Sequence, residues 1–358
     1  MVSQGEINNT GLIEVNSGTM MNNGMIDNKG QILLSAVYDP QVVDDNGQTS
    51  VSTALFTNNS SIINDAGGLI QVGINTFEAA NDTIAQKFNY FESTFENFGE
   101  IVNIGSIVIN DIMLNAGMIE NRTGSSFENN GLFNNTESGV ITFAQSTSLG
   151  GSVINNGIIF MTENQELTLT SGVAGSGIFY GDTMLNGANV NPGSSIGQLT
   201  FANDLGVEDT VWLMEIFGTE RGMSFDAIDV MGDLTLFDME SAFEINSFMD
   251  FDSLFEFEFD FMYVLGDILD GDGNAISDLS SWTIETTDNW FGRWYENTDG
   301  WWLGFEYLAD RDTYNAQYPP GTVSGPTEVS EPRIFMLLMF GFAFMVLGRK
   351  GVALTRFK

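Results

Sequence analysis

The most specific metal-ligand spacing in the chain lies in Leu269-Asp270-Gly271-Asp272-Gly273-Asn274-Ala275, where oxygen-bearing side chains alternate with glycine. Asp270, Asp272 and Asn274 fall on the first, third and fifth positions of a calcium loop, which offers hard oxygen ligands to a hard cation. Ala275 stands where such a loop has its turning glycine, and Ser281 stands where it has its bidentate glutamate. The expectation is calcium held by an incomplete cage, set against an acidic turn that binds nothing.

A second stretch suits processing rather than catalysis. Ser330-Glu331-Pro332 puts a negative charge and an extended, helix-stopping residue directly before an apolar run at residues 334–347. Arg333 precedes that run, and Arg349, Lys350, Arg356 and Lys358 follow it. Water penalises such a run unless a core or a bilayer covers it. Cations just past an apolar segment stay on the cytoplasmic side of a membrane. As a helix the run covers about 22 Å against a hydrocarbon core of about 30 Å, a gap that snorkelling by Arg333 and Lys350 can close. We therefore expect one C-terminal transmembrane helix, with a buried terminal core helix as the alternative.

Other chemistry is limited by what the chain lacks. Cysteine and histidine are both absent. That removes thiolate nucleophiles, disulfides, the usual zinc sites and any triad that needs imidazole. The 358 residues contain 48 acidic and 11 basic groups. The last five cations begin at Arg333, so residues 1–332 hold 6 basic against 48 acidic groups, a net of −42. Such a surface repels nucleic acid and anionic lipid and gathers counter-ions. An acidic-polysaccharide lyase needs Lys or Arg to stabilise its enolate-like intermediate. Before the tail only Lys29, Lys87, Arg122, Arg221, Arg293 and Arg311 are available, at spacings that stack none beside another.

These groups have to be held by a scaffold, and the scaffold is periodic. Glycine recurs every six or seven residues at 5, 11, 18, 24 and 30, then at 99, 105, 117, 124, 131, 139, 151 and 157, with Asp111 filling one beat. Two positions after each marker stands an apolar residue, among them Ile7, Ile13, Met20, Ile26, Ile32, Ile101, Ile107, Met113, Ile119, Phe133, Ile141, Val153 and Ile159. Ser126 is the exception, with Phe127 beside it. Asparagine follows two positions later at 9, 22, 28, 103, 115, 121, 135 and 155. A six-residue beat is too short for a helical hairpin and suits a short strand plus a corner. We expect glycine to supply positive φ at the corners, and asparagine to tolerate it while stacking its amide on the next turn. Three beats make one turn of a parallel β-solenoid, adding about 4.8 Å each. Residues 36–54 and 76–94 break the beat and read as insertions.

Beyond residue 200 the pattern becomes period two. Phe255, Phe257, Phe259 and Phe261 alternate with Glu256, Glu258 and Asp260, giving one dry and one charged face. Trp282, Trp290, Trp294, Trp301 and Trp302 follow, and they are expected to fill a core or cap a solenoid end rather than stack on sugars. Residues 309–331 form a linker, with prolines at 319, 320 and 326 inside it and 332 just after.

Two family resemblances add to this reading. The order Glu331-Pro332, apolar span, basic end resembles the PEP-CTERM sorting tail, without the first proline of that family's tripeptide. The resemblance covers about the last thirty residues. It implies export, an exosortase-type membrane peptidase as partner, an inner-membrane-anchored precursor, and release to the cell surface or outside of a Gram-negative bacterium. Pro192, Gly193, Ser195, Gly197, Leu199 and Thr200 resemble a Pro-Gly-x-Ser-x-Gly-x-Leu-Thr motif of autotransporter passengers. Phe225-Asp226-Ala227-Ile228-Asp229-Val230 and Gly232-Asp233-Leu234-Thr235-Leu236 resemble that motif's usual continuation. It implies a secreted β-helix end and carries no catalytic residue. The start, Met1 to Gly11, has no basic and apolar leader of the kind export needs, so the true N-terminus is expected upstream.

The expected fold is all-β: a right-handed parallel β-helix (solenoid), then a β-rich C-terminal region, then one C-terminal transmembrane helix. The expected divisions are 1–200 for the Gly/Asn repeats, 201–308 for the autotransporter-like region, 309–331 for the linker and 332–358 for the sorting tail. The expected function is a non-catalytic adhesive or structural protein of the cell surface or extracellular matrix, with extracellular polysaccharide as a further partner, no nucleic acid, and no cofactor unless calcium. The alternative is a polysaccharide-active β-helix enzyme, a lyase or glycoside hydrolase.

Overall fold

The computed structural model describes residues 1–16, 18–35, 38–43, 49–51, 53–73, 93–193, 195–238, 240–248, 258–276, 279, 283–286 and 290–307. Among these residues the chain is all-β, built from parallel sheets wound as a solenoid. Each coil contributes one strand to each of three faces, as in Ile112–Asn115, Met118–Asn121 and Ser126–Asn129. The first face is a 12-stranded sheet and the second a 13-stranded sheet. The third face is a five-stranded sheet followed by a six-stranded one, with the seam between Ser126–Asn129 and Thr147–Leu149.

Strands are short because only the residues between two corners can pair, and each strand turns one or two side chains inward. Coils pair in register, so identical positions stack. On the second face Ile62, Ile101, Ile119, Ile141 and Ile159 form one column. On the third, Ile32, Ile70, Ile107 and Phe127 form another. All of these are buried, and Phe127 rather than Ser126 is the inward residue of its beat. Full burial of each such side chain contributes about 1.5–3 kcal/mol.

Some of the corners correct one expectation. The glycines at 24, 99, 117 and 151 do not adopt positive φ. They are glycine because the coil below comes too close. A Cβ on Gly117 would lie 2.1 Å from the carbonyl oxygen of Gly99, and one on Gly99 would lie 1.9 Å from that of Ser60. At these corners the stacking of backbone on backbone selects the residue, whereas Gly18 and Gly124 adopt the expected positive φ, 81° and 85°, with open space where a Cβ would sit.

Asparagine stacks as expected, without positive φ. In the corner after the first face, Asn22 donates to Asn58, Asn58 to Asn97, Asn97 to Asn115, and Asn115 to Asn135, each amide-to-amide at 2.8 Å. Asn135 then donates to Asn155 at 2.9 Å. A second ladder after the second face runs Asn9, Asn28, Asn64, Asn103, Asn121 at 2.7–2.9 Å. The ladder residues from Asn22 onward are buried to 2% exposure or less. The spacing to glycine also has a cause: the Oδ1 of Asn22 and of Asn155 accepts the N–H of Gly24 and of Gly157, two residues on.

The insertions fall at one place. Strands Gln31–Leu34 and Leu69–Val72 of the third face precede them, and Ala54–Asn58 and Ser93–Asn97 of the first face follow. Within the first insertion, Tyr38–Val43 and Thr49–Val51 pair antiparallel. Ala54 and Ser93 already belong to the solenoid, so the insertions are slightly shorter than the broken beat suggested.

The change of pattern near residue 190 leaves the sheets unbroken. Parallel pairing continues from Gln198–Phe201 to Ala227–Val230 and on to Glu258–Val264. There the second sheet stops being parallel. Gly300–Tyr307 pairs antiparallel with both Glu258–Val264 and Trp290–Asn297, so among the described residues that sheet ends on Trp290–Asn297. Trp290, Trp294, Leu303 and Phe305 are buried at this end, and Trp301 packs against the same core. No helix among the described residues is long and apolar enough to cross a membrane. The apolar run at 334–347, expected to be a transmembrane helix, lies outside the described residues.

Candidate functional site

The positions expected to carry sorting and anchoring, Ser330, Glu331, Pro332, Arg333, Arg349 and Lys350, all lie outside the described residues. Asp270, Asp272 and Asn274 are described, in the turn that follows strand Ile268–Asp270. The Oδ1 of Asp270 accepts the backbone N–H of Asn274 at 2.8 Å and of Asp272 at 3.0 Å. The Asn274 amide nitrogen also points at this carboxylate, 3.2 Å from each oxygen. The backbone hydrogen bond from Asn274 is the main reason the Asp270 carboxyl sits below its ordinary pKa. The oxygens expected to face calcium thus close the turn, and Asn274 presents a donor there. Among the described residues no three carboxylates converge to hold a metal.

The structure instead gathers chemistry on the outer side of the second sheet's last strands. Glu258, Asp260 and Tyr263 point outward from Glu258–Val264, opposite Glu306, Gly304 and Trp302 of the neighbouring strand. Arg293 and Tyr295 come from the next strand, Trp290–Asn297. Gly304 makes this possible, since a Cβ there would meet a Glu258 carboxylate oxygen at 2.5 Å. With that space open, Glu258 lies across the middle strand and pairs with Arg293 at 2.7 Å. Tyr295 donates its hydroxyl to Asp260, and the Arg293 guanidinium lies 4.9 Å from the Tyr295 ring centre.

Arg221 reaches the same surface from the segment after Val211–Ile216. Its guanidinium pairs with Asp229 at 2.7 Å and donates to the carbonyls of Asp260 at 2.7 Å and Ile228 at 2.9 Å. It also lies 5.4 Å from the Trp302 ring centre. Gln198 donates to the other Asp229 oxygen. Arg221 is thus a clamp joining two coils to the closing strands, and its side chain is only 5% exposed.

The electrostatics favour protons over free charge. Burial pushes the Glu258 carboxyl up to about 7 against the pull of Arg293, with Asp260 and Glu306 adding repulsion. Asp226, one strand inward, is fully buried and accepts N–H bonds from Gly197 at 2.9 Å and Glu215 at 2.8 Å. Burial raises it to about 7 as well. Burial also raises the Tyr295 hydroxyl, and the adjacent Asp260 carboxylate raises it further. Two of the body's six cations meet here, yet Arg221 and Arg293 each face a carboxylate at ion-pair distance. The arrangement ties strands together rather than presenting a bare cation to an anionic intermediate.

The charged face of Glu258 and Asp260 was legible in the sequence, but the cations that answer it were not. The available signal was scarcity: in a chain this acidic, an arginine one strand beyond an alternating acidic run is its natural counter-charge. The proline-glycine motif is placed as a corner. Gly193 exchanges backbone hydrogen bonds with Gly175 at 2.7 and 3.1 Å, Gly197 donates to buried Asp226, and Leu199 is core. No protein-family model and no curated protein sequence matches this chain.

Proposed function

We propose that this chain is an exported, non-catalytic rod of the cell surface or extracellular matrix, sorted through its C-terminal tail. In this reading the solenoid is right-handed. The apolar run at 334–347 is a transmembrane helix, and an exosortase-type peptidase cuts near Ser330-Glu331-Pro332. The supporting observation is the unbroken stacking of the first sheet. Its 12 strands at about 4.8 Å each make a stiff spacer on the order of 50 Å long, with an amide ladder locking the register from Asn22 to Asn155. Its acidic surface gathers calcium and other cations as counter-ions. In a host with an exosortase, mass spectrometry of surface-extracted protein should find a C-terminus near Pro332. Surface protein still carrying Phe357 and Lys358 would show an ordinary anchor and overturn the sorting.

One observation favours a second reading, a polysaccharide-active enzyme. Glu258 is held near neutral beside Asp260, the range of a general acid. Zymography on acidic polysaccharides separates the two: cleared zones lost in Glu258→Gln would establish the enzyme, and their absence with wild type supports the rod.

A further inference from the structure

The second sheet has an outer side that its core does not need. Its inward residues Ile119, Ile141, Ile159 and Phe179 are all buried. Yet on the same strands Met118, Val140, Ile158 and Ile178 form an outward row in register. Beside them Thr142, Phe160 and Tyr180 form a second row, with the Phe160 and Tyr180 rings 6.2 Å apart. Met118 is 40% and Phe160 41% exposed, and Val140, Ile158, Ile178 and Tyr180 beside them are half-buried. Contiguous exposed apolar surface on a soluble fold marks a contact site more often than a scattered leucine does.

The rim of this strip is acidic. Glu100 heads the first row and Glu120 heads the second. Glu137 is exposed at the corner before Val140, and Glu163 and Asp182 are exposed past the strands' other ends. The nearby cation, Arg122, is paired with Glu120 at 2.9 Å.

We propose that this strip docks a cationic amphipathic helix of another protein, lying along the solenoid axis. The charge favours this occupant over others. A second copy would bring the same acidic rim against itself, and an anionic bilayer would be repelled. The mostly aliphatic row offers no broad aromatic platform for sugars. The spacing also fits: rungs recur at about 4.8 Å, close to the 5.4 Å pitch of a helix, so apolar residues at i, i+4 and i+7 meet successive rungs. Lysines flanking that apolar face would lie over Glu120, Glu137 and Glu163.

The test uses the full chain and a fluorescent Leu/Lys amphipathic peptide of about four helical turns, with a sequence-scrambled peptide of equal composition. Anisotropy should show binding of the amphipathic peptide at least about tenfold tighter than the scrambled one. Ile158→Ser with Phe160→Ser should weaken it at least about tenfold, while Ile154→Ser on the outer side of the first sheet should not. Circular dichroism checks that the variants fold. If the double variant does not fold, Met118→Ser takes its place with the same expected loss. Equal binding of both peptides, or binding indifferent to the second-sheet variants, overturns the proposal. So does a dimer, or attachment to zwitterionic vesicles, that the same variants abolish.

Discussion

Asn115 and Asp233 sit at corners of the same solenoid and hold the next coil by different means. Asn115 is fully buried and joins coil to coil through neutral amides, accepting from Asn97 and donating to Asn135. Asp233 is half-buried and accepts the backbone N–H of Asp267 at 2.8 Å, as Asp204 accepts that of Asp233 at 2.9 Å. The interior shifts in proportion. The coils up to Asn155 pack isoleucine columns between amide ladders, with phenylalanine on the first face, where Phe56 stacks on Phe95 at 4.8 Å. The later coils pack aromatics: Phe179 on Phe201 at 5.2 Å, Trp212 on Phe243 at 6.0 Å, and Phe243 on Phe305 at 4.8 Å. An amide ladder repeats any number of times because each rung leaves the same donor for the next. A carboxylate corner adds a charge at every coil, so it suits an end that stops. The first ladder ends where Gly175 takes the asparagine position, and the second where Phe143 does.

The largest break in this comparison should come from a charge inside the periodic half. Ile119→Asp puts an unpaired carboxylate at a fully buried site, at a cost of several kcal/mol. Thermal melts should show loss of cooperative unfolding. A soluble variant with a near-native melt would refute the inward register of that column.

Next in size is the ladder itself. Asn115→Ala removes both amide-to-amide bonds and the 3.3 Å bond to the Val140 carbonyl, and leaves the Asn135 oxygen without its donor, worth about 3 kcal/mol together. Asp233→Ala, at a half-exposed corner, should cost about 1 kcal/mol. Comparable losses in urea unfolding would mean that the two kinds of corner are equivalent.

The smallest effect should be a gain. Asn129 stands at the third-face seam, below a column ending in Ile109 and before Leu149. Its Oδ1 is buried with no hydrogen-bond partner, because Ile109 offers it no amide. Asn129→Leu should raise stability by about 1 kcal/mol, read from the urea midpoint. A loss would show that its bond to the Ser152 carbonyl outweighs the orphaned oxygen.

The two regions were unequally legible in the sequence for a physical reason. In the first, one kind of backbone contact and an amide ladder at each of two corners recur coil after coil, so Gly99, Asn103 and Ile107 repeat at readable intervals. The cause of the glycines was not legible, since the carbonyl that a Cβ on Gly117 would strike belongs to a coil eighteen residues earlier in the chain. In the second region each coil differs in length, and Arg221 meets Asp260 only through folding, 39 residues apart. Alternation at Glu258 and Asp260 announced a charged face, but nothing local named Arg293 as its partner.

Neutral ladders hold the body, whereas titrating groups hold its end. Glu258 and Asp226 have folded pKa values raised to about 7, from 4.5 and 3.8. The folded state therefore binds protons that the unfolded state has released. Stability from each group is complete below its unfolded value and falls as pH rises through about 7, by up to about 3 kcal/mol for Glu258 and about 4 kcal/mol for Asp226. Hydrogen exchange read by mass spectrometry at pH 5.5 and 8.5, corrected for intrinsic rates, compares the regions directly. At the higher pH, protection should be unchanged across 95–155 and lost across 258–264 and 300–307. Equal loss in both regions, or loss confined to the ladders, would contradict that division of roles.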